Sequence, residues 1–184
     1  MGKKDLWNIA LLLAVITVFY NILEGIISIF FGLTDETLAL FGFGLDSFIE
    51  VMSGIGVWHM VLRIKKNDHK NIDDFESTAL KITGSAFYIL VISLLVTVAY
   101  NIYTGHKPQT TIWGIVISSV SIMTMLWLMR YKLNIGKKLN SEAIIADAHC
   151  TRTCVYLSII LLGSSVLYQI FHLGYIDSIG ALGI

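Results

Sequence analysis

The chain has 184 residues, 55% of them hydrophobic and only 14% charged, with a mean hydropathy of +0.74. An ordinary soluble domain carries roughly 25% charged residues, so this composition argues against a water-soluble globule and for an integral membrane protein. The formal net charge is zero and there are two cysteines, which argues against a nucleic-acid partner and a secreted disulfide framework.

One proline and long apolar runs favour helices over the short alternating strands of a barrel. The expected fold is all-α, a polytopic membrane helix bundle forming a single transmembrane domain over residues 1–184. Spanning segments need about 20 mostly apolar residues. Taken in order, they run near Leu6–Phe31, Leu38–Leu62, Thr78–Tyr103, Thr111–Tyr131 and Ser141–Phe171. A sixth begins near Tyr175 and reaches Ile184 with about ten residues, roughly half a bilayer of helix. Six transmembrane helices are expected, the sixth short or truncated. The first apolar stretch is too long for a signal peptide and is read as a helix.

Lys and Arg sort by side. Lys3 and Lys4 precede the first span. Arg63, Lys65, Lys66, Lys70 and Lys81 flank the second loop, and Arg130, Lys132, Lys137 and Lys138 are assigned to the fourth. The opposite side has only Lys107, and Arg152 falls inside the fifth span. The positive-inside rule then places the N-terminus in the cytoplasm. Trp7, Tyr103, Trp113, Tyr131 and Tyr175, at span ends, fit an interfacial aromatic belt. His59, His69, His106 and His172 lie near loops or helix ends and read as interfacial.

Ionisable residues inside apolar spans are expensive, and a functional role is their default reading. Here they are Glu24, Asp46, Glu50, Asp147, His149 and Arg152, joined by Cys150 and Cys154. Asp46 and Glu50 are four apart and share a helix face, as do Cys150 and Cys154. At about 1.5 Å per residue, Asp46 and Glu50 lie ~12–18 Å below the outer edge, and the cysteines ~14–20 Å above the inner edge. Both pairs reach the middle of a ~30 Å core. Two antiparallel helices would thus offer two carboxylates and two thiols to one point, a set that suits a tetrahedral divalent metal. The competing explanations are cysteines that serve only as small packing residues, a proton relay, and a salt bridge from Arg152 to one of the acids.

The segments YNILEGIISIFFGLTDETLALFGFGLDSFIEVMSG (20–54) and SEAIIADAHCTRTCVYLS (141–158) resemble the transmembrane domain of the cation diffusion facilitators, exporters of zinc and related divalent metals. That family combines an (H/D)-x-x-x-D pair on its second helix with an H-x-x-x-D pair on its fifth, which often reads A-D-A-x-H-x-x-S-D. Alignment of Ala146–Asp147–Ala148 sets Cys150 on the histidine and Cys154 on the aspartate position, and Asp46 and Glu50 fall on the second-helix positions. The resemblance implies a metal site of Asp46, Glu50, Cys150 and Cys154, a carrier rather than an enzyme, metal/proton antiport and a homodimer. It also sets Asn21 and Glu24 on the family's first-helix polar pair. This chain departs from the pattern in its C-x-x-x-C pair and in Glu at position 50, and a single transmembrane domain without the cytoplasmic metal-binding domain common in the family is expected.

Two thiolates and two carboxylates suit Zn²⁺ or Cd²⁺ as the transported ion and disfavour Mg²⁺ and Ca²⁺, which want six or more oxygens. A cysteine must lose its proton to bind, so metal would displace protons. Asp147, one turn before Cys150, is a candidate to orient a ligand or to act as a gateway carboxylate. His149 is a neighbour or gate candidate about 100° round the helix from Cys150. The implied partners are the lipid bilayer, metal ions, protons and a second copy of the chain. The implied location is the plasma (inner) membrane of a prokaryote. The alternative function is a membrane metal sensor or accessory protein that binds without transporting.

Overall fold

The computed structural model describes residues 2–34, 37–66, 72–104 and 112–171. These residues form five helices: α1 (Lys3–Thr34), α2 (Leu38–Lys66), α3 (Ile72–Thr104), α4 (Ile112–Leu139) and α5 (Glu142–Phe171). Four of them, α1, α2, α4 and α5, are long and apolar enough to cross a membrane. The expected sixth segment, near Tyr175–Ile184, lies outside the described residues, as do His69, His106, Lys107 and His172.

Helices α1 to α4 outrun the apolar stretches that announce them, whereas α5 matches its stretch to within a residue. The largest difference is in α4, expected to end near Tyr131, which continues to Leu139. Charge does not break a helix, and Arg, Lys and Leu are good helix formers. The helix stops where the backbone turns left-handed at Asn140, with φ of 51°, a conformation that Asn tolerates at a C-terminus. The Ser141 amide reaches back to the Gly136 carbonyl at 3.0 Å. Ser141 then opens α5, its hydroxyl accepting from the Ile144 amide at 3.5 Å in the manner of an N-cap. This correction moves Lys132 from the expected fourth loop into a helix.

α1, α2, α5 and α4 close a ring in which each packs on the next, and α3 lies against α2 and α5. Neighbours within the ring run antiparallel. Along the α2–α5 seam, residues 46, 50 and 53 meet residues 154, 151 and 147 in that order. The α1–α2 crossing is tight enough to demand glycine. A Cβ on Gly32 would stand 2.6 Å from the Phe41 amide nitrogen, and one on Gly44 2.9 Å from that of Ile29.

Burial runs opposite to that of a soluble protein. Thr17, Asn21, Glu24, Asp46, Ser47, Glu50, Ser53, Ser121, Lys132, Asp147, Thr151 and Ser158 are buried, whereas Leu12, Phe19, Leu23, Phe30, Val96 and Met123 are exposed. Exposed apolar side chains around a polar interior are what a hydrocarbon solvent stabilises. The chain is a polytopic helical membrane protein. Two apolar clusters bracket the polar layer. The larger includes Leu13, Met60, Val61, Met125, Leu128 and Ile144, and the smaller includes Leu40, Phe43, Ile117 and Leu161. Trp7 belongs to the larger cluster and is 4% exposed, which corrects its assignment to an interfacial belt. Tyr103, Trp113 and Tyr131 are exposed.

Candidate metal site

The polar layer is built on the α2–α5 seam. Asp46, Glu50 and Ser53 are spaced by four and three residues, so they form one stripe along α2. Asp147, Cys150, Thr151, Cys154 and Ser158 form the matching stripe along α5. All of these side chains are buried.

Three contacts zip the two stripes together. The Cys154 thiol donates to Asp46 Oδ2 at 2.6 Å. The Thr151 hydroxyl donates to Glu50 Oε1. The Ser53 hydroxyl donates to Asp147 Oδ1 at 2.9 Å. Each pairs one side chain from either helix, so the antiparallel register brings every acid to a donor. Cys150 is buried one turn before Cys154, amid the charges of Glu50, Asp46 and Asp147.

A fourth component comes from α4, and sequence reasoning missed it. The Lys132 ammonium lies 2.9 Å from Asp147 Oδ2 and 3.6 Å from Glu50 Oε1. It also donates to the Thr151 hydroxyl at 2.8 Å. Lys132 is 1% exposed. A buried ammonium is tolerable only when it is paired and hydrogen-bonded, and here three oxygens meet it. The overlooked signal was phase. Lys132 follows Leu128 by four residues and precedes Ile135 by three, so it belongs to the buried face of α4. Arg152, considered as the partner of the acids, is exposed. The cation that pairs with them is Lys132.

The first helix adds a second acid group. Glu24 accepts from the Tyr20 hydroxyl at 2.8 Å and from the Ser47 hydroxyl at 3.1 Å. The second bond ties α1 to α2 next to Asp46. Asn21 is buried and donates to the Thr17 carbonyl at 2.9 Å, within its own helix. A cleft of about 300 Å³ opens between α1 and α4, with Tyr20 and Glu24 among the apolar side chains of Leu23, Ile27, Trp113 and Val116. His149 is exposed, on the opposite side of α5 from the seam, and the structure does not bring it to the acids.

Asp46, Glu50, Cys150 and Cys154 thus share one buried seam, yet their hydrogen bonds are made within the protein. Among the described residues, no three His, Cys, Asp or Glu side chains gather into a metal-sized cluster. Asp46 is engaged by a thiol and one oxygen of Glu50 by Thr151 and Lys132. Glu50 Oε2 has no hydrogen-bond partner among the described residues. A divalent ion held here would replace the thiol proton on Asp46 and draw on that free oxygen, two changes that the donor types permit.

A family model for the cation efflux transmembrane domain matches residues 12–184. The chain belongs to the cation efflux family. Its proteins are transporters, and the polar seam lies within the matched transmembrane domain. The chain is also similar to an uncharacterized transporter, MJ0449, of Methanocaldococcus jannaschii, with 26% identity over 172 residues. The match takes in 91% of this chain and 60% of that relative, so the chain spans about three fifths of the curated relative's length.

Proposed function

We propose that this cation efflux chain carries Zn²⁺ or Cd²⁺ across the membrane in exchange for protons, with Asp46, Glu50, Cys150 and Cys154 as the transport site. The observation that carries this reading is the buried Cys154–Asp46 contact across the α2–α5 seam at 2.6 Å. A thiol and a carboxylate from two helices, held at hydrogen-bond distance, become two ligands when a metal takes the place of the proton between them. Thiolate donors favour zinc-like ions over Mg²⁺, Ca²⁺ or Mn²⁺. The displaced proton supplies the antiported species, and alternating exposure of a buried site supplies the route. In this reading the N-terminus is cytoplasmic, the protein lies in a prokaryotic plasma (inner) membrane, and two copies associate. Gly84 of α3, where an added Cβ would meet nothing within 4 Å, leaves room for a partner helix.

The Lys132 pairing favours a second reading, in which the acids and the lysine are structural glue. Titration of the detergent-purified protein with Zn²⁺ and Cd²⁺ by calorimetry separates the two. The expected result is binding near one metal per chain, with protons released, that disappears in Cys150→Ser/Cys154→Ser. Flux in proteoliposomes driven by a pH gradient would follow the same pattern. Equal binding in both proteins, or none in either, overturns the assignment. Binding without flux leaves a membrane metal sensor.

A further inference from the structure

We propose that Lys132 is a tethered cation that competes with the transported metal for Glu50 and so sets how tightly the seam holds its cargo. This rests on the transport-site reading above.

The geometry assigns the ammonium a cation's place. It has three hydrogens and three oxygen neighbours: Asp147 at 2.9 Å, the Thr151 hydroxyl at 2.8 Å and Glu50 at 3.6 Å. Two of these neighbours belong to α5 and one to α2, so the lysine reaches across from α4 to the seam that the metal would use. Asp147 is its close partner. Glu50 is its looser one, and the same Glu50 oxygen is bridged to it through Thr151. The other Glu50 oxygen, Oε2, is buried and without a hydrogen-bond partner among the described residues. Glu50 is therefore divided between the ammonium on one side and a free oxygen on the other.

A divalent ion on Glu50 would lie within a few ångströms of the ammonium. Two positive centres at that distance in a water-poor interior repel strongly. Part of the attraction that Asp46, Glu50 and Asp147 offer a metal is thereby cancelled. A carrier gains from this, because cargo held too tightly is not released. Lysine suits the task. Its charge is a point at the end of a flexible four-carbon stem, so it can withdraw toward Asp147 when cargo arrives and return to Glu50 when cargo leaves.

A merely structural lysine makes the opposite prediction. Its loss would leave two buried acids unpaired, lower stability, and leave metal affinity unchanged or weaker. The experiment compares the parent, Lys132→Met and Lys132→Arg in detergent at one fixed pH. CdCl₂ and ZnCl₂ are the probes, calorimetry gives affinity, and metal-dependent thermal unfolding is read in parallel. The expected result is roughly tenfold or more tighter binding in Lys132→Met, with a larger metal-induced rise in Tm at equal metal concentration. Lys132→Arg, which keeps the charge, is expected to return affinity toward the parent.

Should Lys132→Met fail to fold, Lys132→Met/Asp147→Asn removes the ammonium together with its closest carboxylate and keeps the charges balanced. It too is expected to bind more tightly than Asp147→Asn alone. Unchanged or weaker affinity in a folded lysine variant overturns the proposal. If the cysteine pair is needed for binding and the lysine is not felt, this inference fails alone. If the parent binds no metal, or binds it without the cysteines, the transport site fails and this inference falls with it.

Discussion

At the scale of single residues, the polar seam is a set of matched donors and acceptors, and its members should differ in cost. Asp147 accepts from Ser53 at 2.9 Å and pairs with Lys132 at 2.9 Å. Asp147→Asn removes the charge but keeps the shape, leaving the buried ammonium with only the looser Glu50 pair. Breaking a buried ion pair from one side costs about 3–5 kcal/mol, and the remaining amide hydrogen bond should hold the loss near the lower end. Ser53→Ala removes one neutral donor to a charged acceptor and should cost about 1.5–3 kcal/mol. The ordering, Asp147→Asn below Ser53→Ala below parent, is checked by thermal unfolding in one detergent. Equal midpoints for all three would show that the ion pair contributes nothing. The acids and cysteines of this seam were legible in the sequence because charge inside an apolar run is costly and therefore conspicuous. Lys132 was not, because it stands near Arg130, Lys137 and Lys138, where a cationic cluster reads as a loop. Only the helical phase separates it from them: Arg130, Lys137 and Lys138 are exposed.

At the scale of elements, apolar stretches announce spans but not helix lengths. Hydrocarbon thickness limits the apolar run, while the helix continues until its backbone meets a residue that turns it. That is why α4 runs on to Leu139, where Asn140 turns the backbone, rather than ending near Tyr131. The pairing of elements is set by close approach. At Gly32 the obstacle to a Cβ is the Phe41 backbone, with its nitrogen at 2.6 Å and its Cα at 2.8 Å. Backbone cannot swing aside, so Gly32→Ala must push α1 and α2 apart. Overpacking of this kind costs about 1–3 kcal/mol. Gly84 is the opposite case, with open space around a Cβ. Gly84→Ala should therefore show only the gain in helix propensity, about 0.5–1 kcal/mol. The two alanines should move the unfolding midpoint in opposite directions. A lowered midpoint for both would mean that the α3 surface at Gly84 is already covered in the folded protein, by a second copy for example.

At the scale of the whole molecule, the ring of α1, α2, α5 and α4 turns its apolar side chains outward and buries a layer of acids, hydroxyls and thiols. Such an interior is unfavourable unless it does something, since serines and acids pack no better than leucines and cost more to desolvate. Exchange of one cation for another is a use that keeps every donor occupied. In the proposed exchange, the Cys154 thiol proton fills the hydrogen bond to Asp46 when no metal is held, and the metal replaces that proton when it is. The sign of the pH dependence follows from the mass balance. On the proposed exchange metal binding releases protons, so raising the proton concentration weakens it. Two thiols that both lose their protons on binding would make the apparent Kd rise about a hundredfold for each unit of pH lowered, and a single proton about tenfold. Calorimetry at several pH values, repeated in buffers of different ionisation enthalpy, counts the protons directly. In Cys154→Ser, which removes the thiol that donates to Asp46, the slope should fall by about one proton along with the affinity. An affinity independent of pH in the parent would rule out displacement of these protons by the metal, and with it the coupling that makes the buried layer useful to an antiporter.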